Sequence, residues 1–597
     1  MAQIGDDPLT QCGSIILPPA LVAKVASFPL LRTVEPDALH ALLEVADWFS
    51  LPGGCELTRE GDNDEALFLV VAGCLGVFVP NGDGGETLVA HVPQGETAGE
   101  MSVLSGEPHS AVIAALRDSE LLRVPRRAFL DILARYPSLS NGLMRLLVDR
   151  LRRMTRKSVQ TIRPRTFAFV PLHDGLDLDR LTIDVARALE EMGVAAAIVN
   201  PTAVGQPTEW FTQFEEAHEV ILYEGEEPDS AWTQFCIRQA DRVVLVARAG
   251  APLPLHRALA GAHAERTAHE LVVLHDGEVG EVPGELIAQA RLHHHLRKDR
   301  RTDAARLARL LSGRATGLVL AGGGARGFAH IGVIRALREA GMPIDLVGGS
   351  SMGAIVAAGV ALEWSDAELR ERIRAAFVTS DPLSDYTLPL IALFRGRKVA
   401  RLLRENFGAA RIEDLPVRYF CVTSDLTAGV PKAHRSGPLW RALQASVAIP
   451  GLLPPVVFDG HLHVDGGIMN NLPIDVMAQM GRGPVVGVDV AGDENMSAPE
   501  GDYSESGLFE LLRRLKSGTP GIVHILLRTG TVGNAFHRRA AQAQADLLIE
   551  PPLEGISLRD WHMFDRAVDE GYAFACRAIE RDGLPTGKSM FDKIRAA

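Results

Sequence analysis

The pattern of apolar and polar positions changes character along this 597-residue chain. From about residue 26 to 125, short apolar runs such as ALFLVVAG and CLGVFV are separated by glycine-rich turns, NGDGG among them. Strands this short with turns of this type predict a small β-barrel or roll. Helical periodicity follows in RRAFLDILARYPSLSNGLMRLLVDRLRRM, with one break near Pro137. From about 164 to 280 the apolar runs TFAFVPL, AAAIVN, EVILYE, RVVLVA and ELVVLH alternate with amphipathic stretches such as DRLTIDVARALEEMG, which predicts a parallel α/β layer domain. A basic stretch, roughly 291 to 314, reads as a linker. Beyond it the order strand, glycine loop, helix begins at Gly317 and repeats at Ile344. The expected fold class is therefore multi-domain α/β, with a β-roll over 26–160, a parallel α/β domain over 161–300 and an α/β domain over 316–597.

Composition narrows the function classes. A net charge of -14 argues against a general nucleic-acid binder, which needs a basic face. Basic clusters exist locally at Arg145, Arg150, Arg152, Arg153, Arg156 and Lys157, and again at Arg297, Lys298, Arg300 and Arg301. They read as solvated faces or linker, with contact to an anionic lipid surface as the other option. The N-terminus MAQIGDDPLTQCGS does not read as a signal peptide, and no run approaches the about 18 apolar residues of a bilayer span. Six scattered cysteines without paired spacing suit a reducing compartment, so a cytoplasmic protein with peripheral membrane dealings at most is expected. The run His293-His294-His295 does not read as a metal site, because adjacent helical residues point in different directions. No metal or redox cofactor is expected.

The candidate chemistry begins in GLVLAGGGARGFAH, where Gly322, Gly324 and Gly327 spell G-x-G-x-x-G after an apolar strand. That spelling is the fingerprint of a dinucleotide loop. A dinucleotide fold also wants an acid at the carboxyl end of the second strand, and here the nearby acid, Asp345, precedes that strand. The carboxyl end carries Gly349-Ser350-Ser351-Met352-Gly353 instead, a G-x-S-x-G with Ser351 as its serine. A serine on a sharp strand-to-helix turn projects its hydroxyl above the sheet, with a helix N-terminus behind it. Acyl transfer then needs donors for the oxyanion, and Gly322, Gly323 and Gly324 offer unobstructed N–H groups on the neighbouring strand. Arg326 adds positive charge there or holds the loop's shape. For the base, DGHLHVDGGIMNNLPID supplies Asp459, Asp465, Asp475, His461 and His463. Asp465 is the best placed, since Asp-Gly-Gly lets a carboxylate emerge at a strand end, whereas Asp459 reads as a hairpin-turn residue.

In combination, GGGARG, GGSSMG, SVAIPGLLPPV and DGGIMNNLP resemble the patatin-like phospholipases over about residues 316 to 597. The resemblance implies a Ser351–Asp465 dyad without histidine and an oxyanion region at Gly322, Gly323, Gly324 and Arg326. A triad recruiting His524, His537 or His562 is the rival mechanism. GEMSVLSGEPHSAV, from Gly99 to Val112, resembles the cyclic-nucleotide-binding family, in which a Gly-Glu pair holds the ribose and an arginine after a proline holds the phosphate. Gly99 and Glu100 match, but His109 follows Pro108 where arginine would stand, and an imidazole lacks the guanidinium fork. ILYEGEEPDSAWTQFCIRQADRVVLVARAG resembles the segment before the esterase domain of the neuropathy target esterase family. That resemblance implies a lysophospholipase or phospholipase releasing fatty acid from phospholipid or lysophospholipid. The alternative is a catalytically inactive cyclic-nucleotide sensor or scaffold with a hydrolase-like fold. Between serine and aspartate, Leu388, Leu390, Ile391, Leu393 and Phe394, followed by Arg395, Arg397 and Lys398, read either as a segment that dips into a lipid interface or as a buried cap.

Overall fold

The computed structural model describes residues 19–62, 65–80, 86–155, 164–206, 208–251, 268–287, 290, 292–388, 390–491 and 540–585. The chain divides into two compact units, Met1–Leu271 with Gln289–Leu292, and Val272–Ala288 with His293–Ala597.

In the first unit, two four-stranded antiparallel sheets form the roll. One runs Asp47–Leu51, Ser119–Pro125, Ala66–Ala72, Thr97–Ala98; the other runs Glu56–Thr58, Val112–Ala115, Cys74–Pro80, Glu86–Pro93. The strand Ala66–Ala72 is apolar throughout because both of its faces are used. Leu67, Leu69 and Val71 join a core with the helices, while Ala66, Phe68 and Val70 fill the interior of the roll. The turn NGDGG lies outside the described residues. The helical stretch breaks where expected, into Arg126–Arg135 and Pro137–Thr155, with Pro137 opening the second helix. The parallel layer follows in the strand order Ala196–Val199, Val220–Glu224, Thr166–Pro171, Arg242–Arg248. The expected α/β class is observed in both units.

The second unit is built on one eight-stranded sheet. Its strands are β1 (Gly317–Leu320), β2 (Leu346–Ser350), β3 (Arg418–Asp425), β4 (Val430–His434), β5 (Val456–Phe458), β6 (His461–Asp465), β7 (Val485–Val488) and β8 (Leu547–Ile549). They lie in the order β5-β6-β3-β2-β1-β7-β8, with β4 also on β3. The parallel strands β1, β2 and β7 are buried along their whole length, so they read as unbroken apolar runs rather than alternating ones. Helix α1 (Ala329–Glu339) connects β1 to β2, and helix α2 (Met352–Ala361) follows β2 directly. All ten residues of α2 are buried, which explains its lack of a polar face. A Cβ at Gly353 would lie 2.2 Å from the Leu320 carbonyl oxygen, so glycine is what lets α2 rest on β1.

The basic stretch read as a linker is ordered structure: the strand Leu292–Arg297 and the helix Arg301–Ser312. Arg297 is buried, with its guanidinium on Asp303 at 2.8 Å and on Glu363 at 2.7 Å. A buried arginine keeps its charge only with carboxylates around it, which solvent-face reasoning could not supply. His293 and His295 both bond the Glu413 carbonyl oxygen, at 2.8 and 2.7 Å.

Candidate active site

Sheet register brings the two ends of the site together. Ser350 of β2 is opposite Val422 of β3, and the next residue, Thr423, is opposite Asp465 of β6. β3 therefore carries the turn after β2 on one side and the end of β6 on the other. Across that strand the Ser351 hydroxyl donates to Asp465 Oδ2 at 2.7 Å. Both residues are buried.

Ser351 turns the chain from β2 into α2 at φ 51° and ψ −123°. Such a backbone costs a residue with a Cβ about 1–3 kcal/mol, and the surroundings must hold it. Ser446 does so: its hydroxyl accepts the Ser351 N–H at 3.0 Å and donates to the Val422 carbonyl at 2.7 Å. Ser446 opens the SVAIPG segment, so its signal was visible, but its role depends on a contact across 95 residues of sequence.

Asp465 presents its other oxygen, Oδ1, to the N–H of Gly467 at 2.8 Å. Burial pushes its carboxyl up to about 6, against the opposing pull of the bonds from Ser351 and Gly467. The carboxylate meets the serine directly, with no imidazole between them. His461 is committed to Asp425 at 2.6 Å and His463 to Thr423 at 2.9 Å. Asp459 forms the tight turn between β5 and β6 at φ 50°. Asp475 accepts from Asn470 at 2.9 Å. Of the three histidines of the rival triad, His524 and His537 lie outside the described residues. His562 lies in the short helical turn Trp561–Met563.

The glycine loop abuts the serine. A Cβ at Gly322 would stand 2.9 Å from the Ser351 Cβ. Gly322 is held by Asn471, whose carbonyl accepts its N–H at 3.3 Å and whose amide donates to its carbonyl at 3.1 Å. The N–H groups of Gly323 and Gly324 make no hydrogen bond to other described residues. Gly324 has φ 54°, and a Cβ there would meet the Leu558 carbonyl oxygen at 2.3 Å. Arg326 spends its guanidinium on two carbonyls, Ile556 at 2.7 Å and Ala491 at 2.5 Å, so it braces the loop. Beneath it, His330 is fully buried and bonds the Ala321 carbonyl at 2.8 Å. Burial lowers that imidazole to about 4, so it is neutral and donates through Nε2. Neither His330 nor Asn471 carried a role in the sequence reading, although both lie in the quoted motifs.

Ser351 and Gly324 open onto an apolar cavity. Its walls include Ile355, Phe377, Leu383, Leu402, Phe407 and Trp561, and Arg372 is the one charged side chain among the described lining residues.

In the first unit, Gly99 precedes the short helix Glu100–Ser105 at φ 84°. Glu100 is buried, and its carboxylate receives Thr97 Oγ1 at 3.3 Å and the guanidinium of Arg150. Arg150 also bonds the Thr97 carbonyl and Glu96, so it is no solvated charge. His109 is buried with its Nδ1 3.1 Å from Ser102 Oγ.

Comparison with known proteins finds three families along the chain. The Patatin-like phospholipase family matches residues 318–478, the Cyclic nucleotide-binding domain 48–136, and the Neuropathy Target Esterase family P-loop like domain 164–291. The loop after the first strand of that last domain reads LHDGLDL, without the phosphate-binding G-x-x-x-x-G-K-[ST] spelling. Patatin-like phospholipase domain-containing protein 6 of Homo sapiens is 31% identical over 88% of this chain. The chain spans 44% of the length of that relative. An NTE family protein of Mycobacterium tuberculosis is 30% identical over 92% of this chain and 95% of its own. Among solved structures, the catabolite activator protein of Thermus thermophilus is similar at 27% identity over 28% of this chain and 73% of that one, with a TM-score of 0.21.

Proposed function

This chain belongs to the neuropathy target esterase family of patatin-like phospholipases, and on that premise we propose that it hydrolyses the acyl ester of a glycerophospholipid or lysophospholipid. The observation that carries the reading is the 2.7 Å bond from Ser351 Oγ to Asp465 Oδ2 at the end of an apolar cavity. Ser351 Oγ attacks the acyl carbonyl while its proton passes to Asp465. The carbonyl oxygen becomes an oxyanion, received by the N–H groups of Gly323 and Gly324, each worth about 3–4 kcal/mol to such a charge. The N-terminus of α2 adds to the same field. Collapse breaks the ester C–O bond, and Asp465 returns the proton to the departing glycerol oxygen. Water then attacks the acyl-serine, gives its proton to Asp465, and free fatty acid leaves as Ser351 regains that proton. The cavity takes the acyl chain, because its walls offer little for a polar headgroup to bond.

We assign this chemistry to residues 316–597, a regulatory or docking role to 26–160 and a spacer role to 161–300. The test is mass spectrometry of products after incubation with mixed phospholipids and lysophospholipids, together with a fluorophosphonate probe. Fatty-acid release and labelling are expected; an intact protein that does neither is the inactive sensor instead.

The N-terminal roll is expected not to take cyclic nucleotide at Glu100, because Arg150 already occupies that carboxylate and His109 replaces the phosphate-gripping arginine. Titrating cyclic AMP and cyclic GMP into the full chain should give no saturable heat. A saturable signal from either would overturn this.

A further inference from the structure

Between two stretches that line the cavity, Pro382–Leu383 and Val399–Phe407, the chain leaves the wall as a short hairpin. Its arms pair at Tyr386 and Phe394, and the Thr387 N–H donates to the Leu393 carbonyl at 3.0 Å. The returning arm is stitched to the segment 449–453, itself part of the cavity wall. Leu393 N–H donates to Gly451 at 2.9 Å and Phe394 N–H to Leu452 at 3.0 Å. At the base, Asp385 Oδ2 accepts the Lys398 N–H at 3.2 Å, and Lys398 Nζ donates to Ser384 at 2.7 Å.

This register sorts the five apolar residues that the sequence offered as a group. Phe394 is 1% exposed and packs at a tilt of 49° against Tyr386, with ring centroids 4.8 Å apart, while Leu393 packs against the core. These two belong to the fold. At the tip the opposite holds: Leu388 is 78% exposed, Leu390 90% and Ile391 73%. A pinned hairpin that holds three large aliphatic side chains in water is unusual for a water-facing loop, since those groups gain by leaving water. Arg395 closes the hairpin and Arg397 follows it, both exposed and with no ion pair among the described residues. Apolar tip residues flanked by uncommitted arginines match the layering of a lipid surface, with acyl chains inside and anionic headgroups outside. Among the described residues no helix is long and apolar enough to cross a membrane.

We propose that the two hairpin arms Asp385–Leu388 and Leu390–Arg395 form a membrane-docking element, with Leu388, Leu390 and Ile391 inserting into the surface of an anionic phospholipid bilayer and Arg395 and Arg397 pairing with its headgroups. The element springs from the cavity wall, so docking places the route to Ser351 against the lipid. The proposal rests on the lipid-hydrolase reading only for its purpose; the docking itself is measured without catalysis.

The full chain is sedimented with phosphatidylcholine vesicles that contain about one-third phosphatidylglycerol. Leu390→Asp with Ile391→Asp is expected to lower binding about tenfold or more, and to lower hydrolysis of vesicle-borne lysophospholipid in proportion. Turnover of a water-soluble short-chain ester stays at the wild-type value. Arg395→Gln and Arg397→Gln each cost about fivefold on anionic vesicles and nothing on pure phosphatidylcholine. A Leu390→Trp variant keeps the tip apolar, and its fluorescence should shift to the blue on vesicles. Wild-type binding by the double aspartate variant, or no spectral shift from the tryptophan, overturns the proposal. It also fails if the aspartates dissolve a dimer and leave vesicle binding untouched, because the tip is then a contact between copies. A wild-type protein that binds vesicles but turns over no ester sinks the hydrolase reading and leaves the docking standing.

Discussion

Ser351→Ala is expected to lower fatty-acid release by about 10⁴–10⁶-fold and to abolish fluorophosphonate labelling. The bond-forming oxygen is lost, while the cavity walls and the glycine loop are untouched, so binding of a substrate or product analogue should stay within a few fold. A loss of only about tenfold would mean that another nucleophile does the work. The same position also yields a stability measurement that activity cannot mimic. Ser351 sits at φ 51°, where a Cβ is strained and glycine is not. The alanine and glycine variants both lack the hydroxyl that Asp465 accepts, so their difference isolates the backbone. Ser351→Gly should be more stable than Ser351→Ala by about 1–3 kcal/mol. That corresponds to about 2–4 °C in Tm for each kcal/mol in a domain of this size. Equal melting temperatures would show that the turn carries no strain.

Much of this site was legible because its residues stand at glycine-flanked strand ends. Ser351 and Asp465 are 114 residues apart, yet each announces a strand that stops in small residues. The parallel order of β1 and β2 follows from the helix between them, and the unbroken apolar runs follow from burial on both faces. What escaped were contacts whose partner is remote. Ser446 is one serine among many until register sets it under the Ser351 N–H. Arg150 reads as one of a row of solvated cations, but its reach to Glu100 joins two elements of the roll. Arg297 likewise reads as linker charge until Asp303 and Glu363 close around it. Arg326 read either as a charge for the oxyanion or as a brace for the loop, and its two backbone carbonyls are what the second role requires. Leu390 and Phe394 are equally apolar in the sequence, and only the hairpin register sends one into water and the other into the core. Residue type limits what a side chain can do; the pairing decides which option it takes.

Asp465→Asn should move activity and stability in opposite directions. As base, the carboxylate must be ionised to take the serine proton, and burial holds its carboxyl at about 6. In the wild-type protein kcat/KM should therefore rise tenfold per pH unit below about pH 6 and level off above it. An asparagine keeps the shape and can still accept the Gly467 N–H, but the group it turns to Ser351 is a donor. The rate should fall about 10²–10⁴-fold, and the acid limb should vanish from what remains. Stability runs the other way. The folded pKa lies above the usual 3.8, so the folded protein holds a proton that the unfolded chain has released between about pH 4 and 6. The stabilising contribution of Asp465 is thus fully present below about pH 4 and is lost as pH rises through about 6. At pH 7 the buried carboxylate is a burden on the order of 3 kcal/mol, which the neutral amide does not carry. Asp465→Asn should melt higher than wild type at pH 7, and the gap should close by pH 4. A variant that loses activity and melts lower at pH 7 would mean that Asp465 serves the fold through its charge, and that the base must be sought elsewhere.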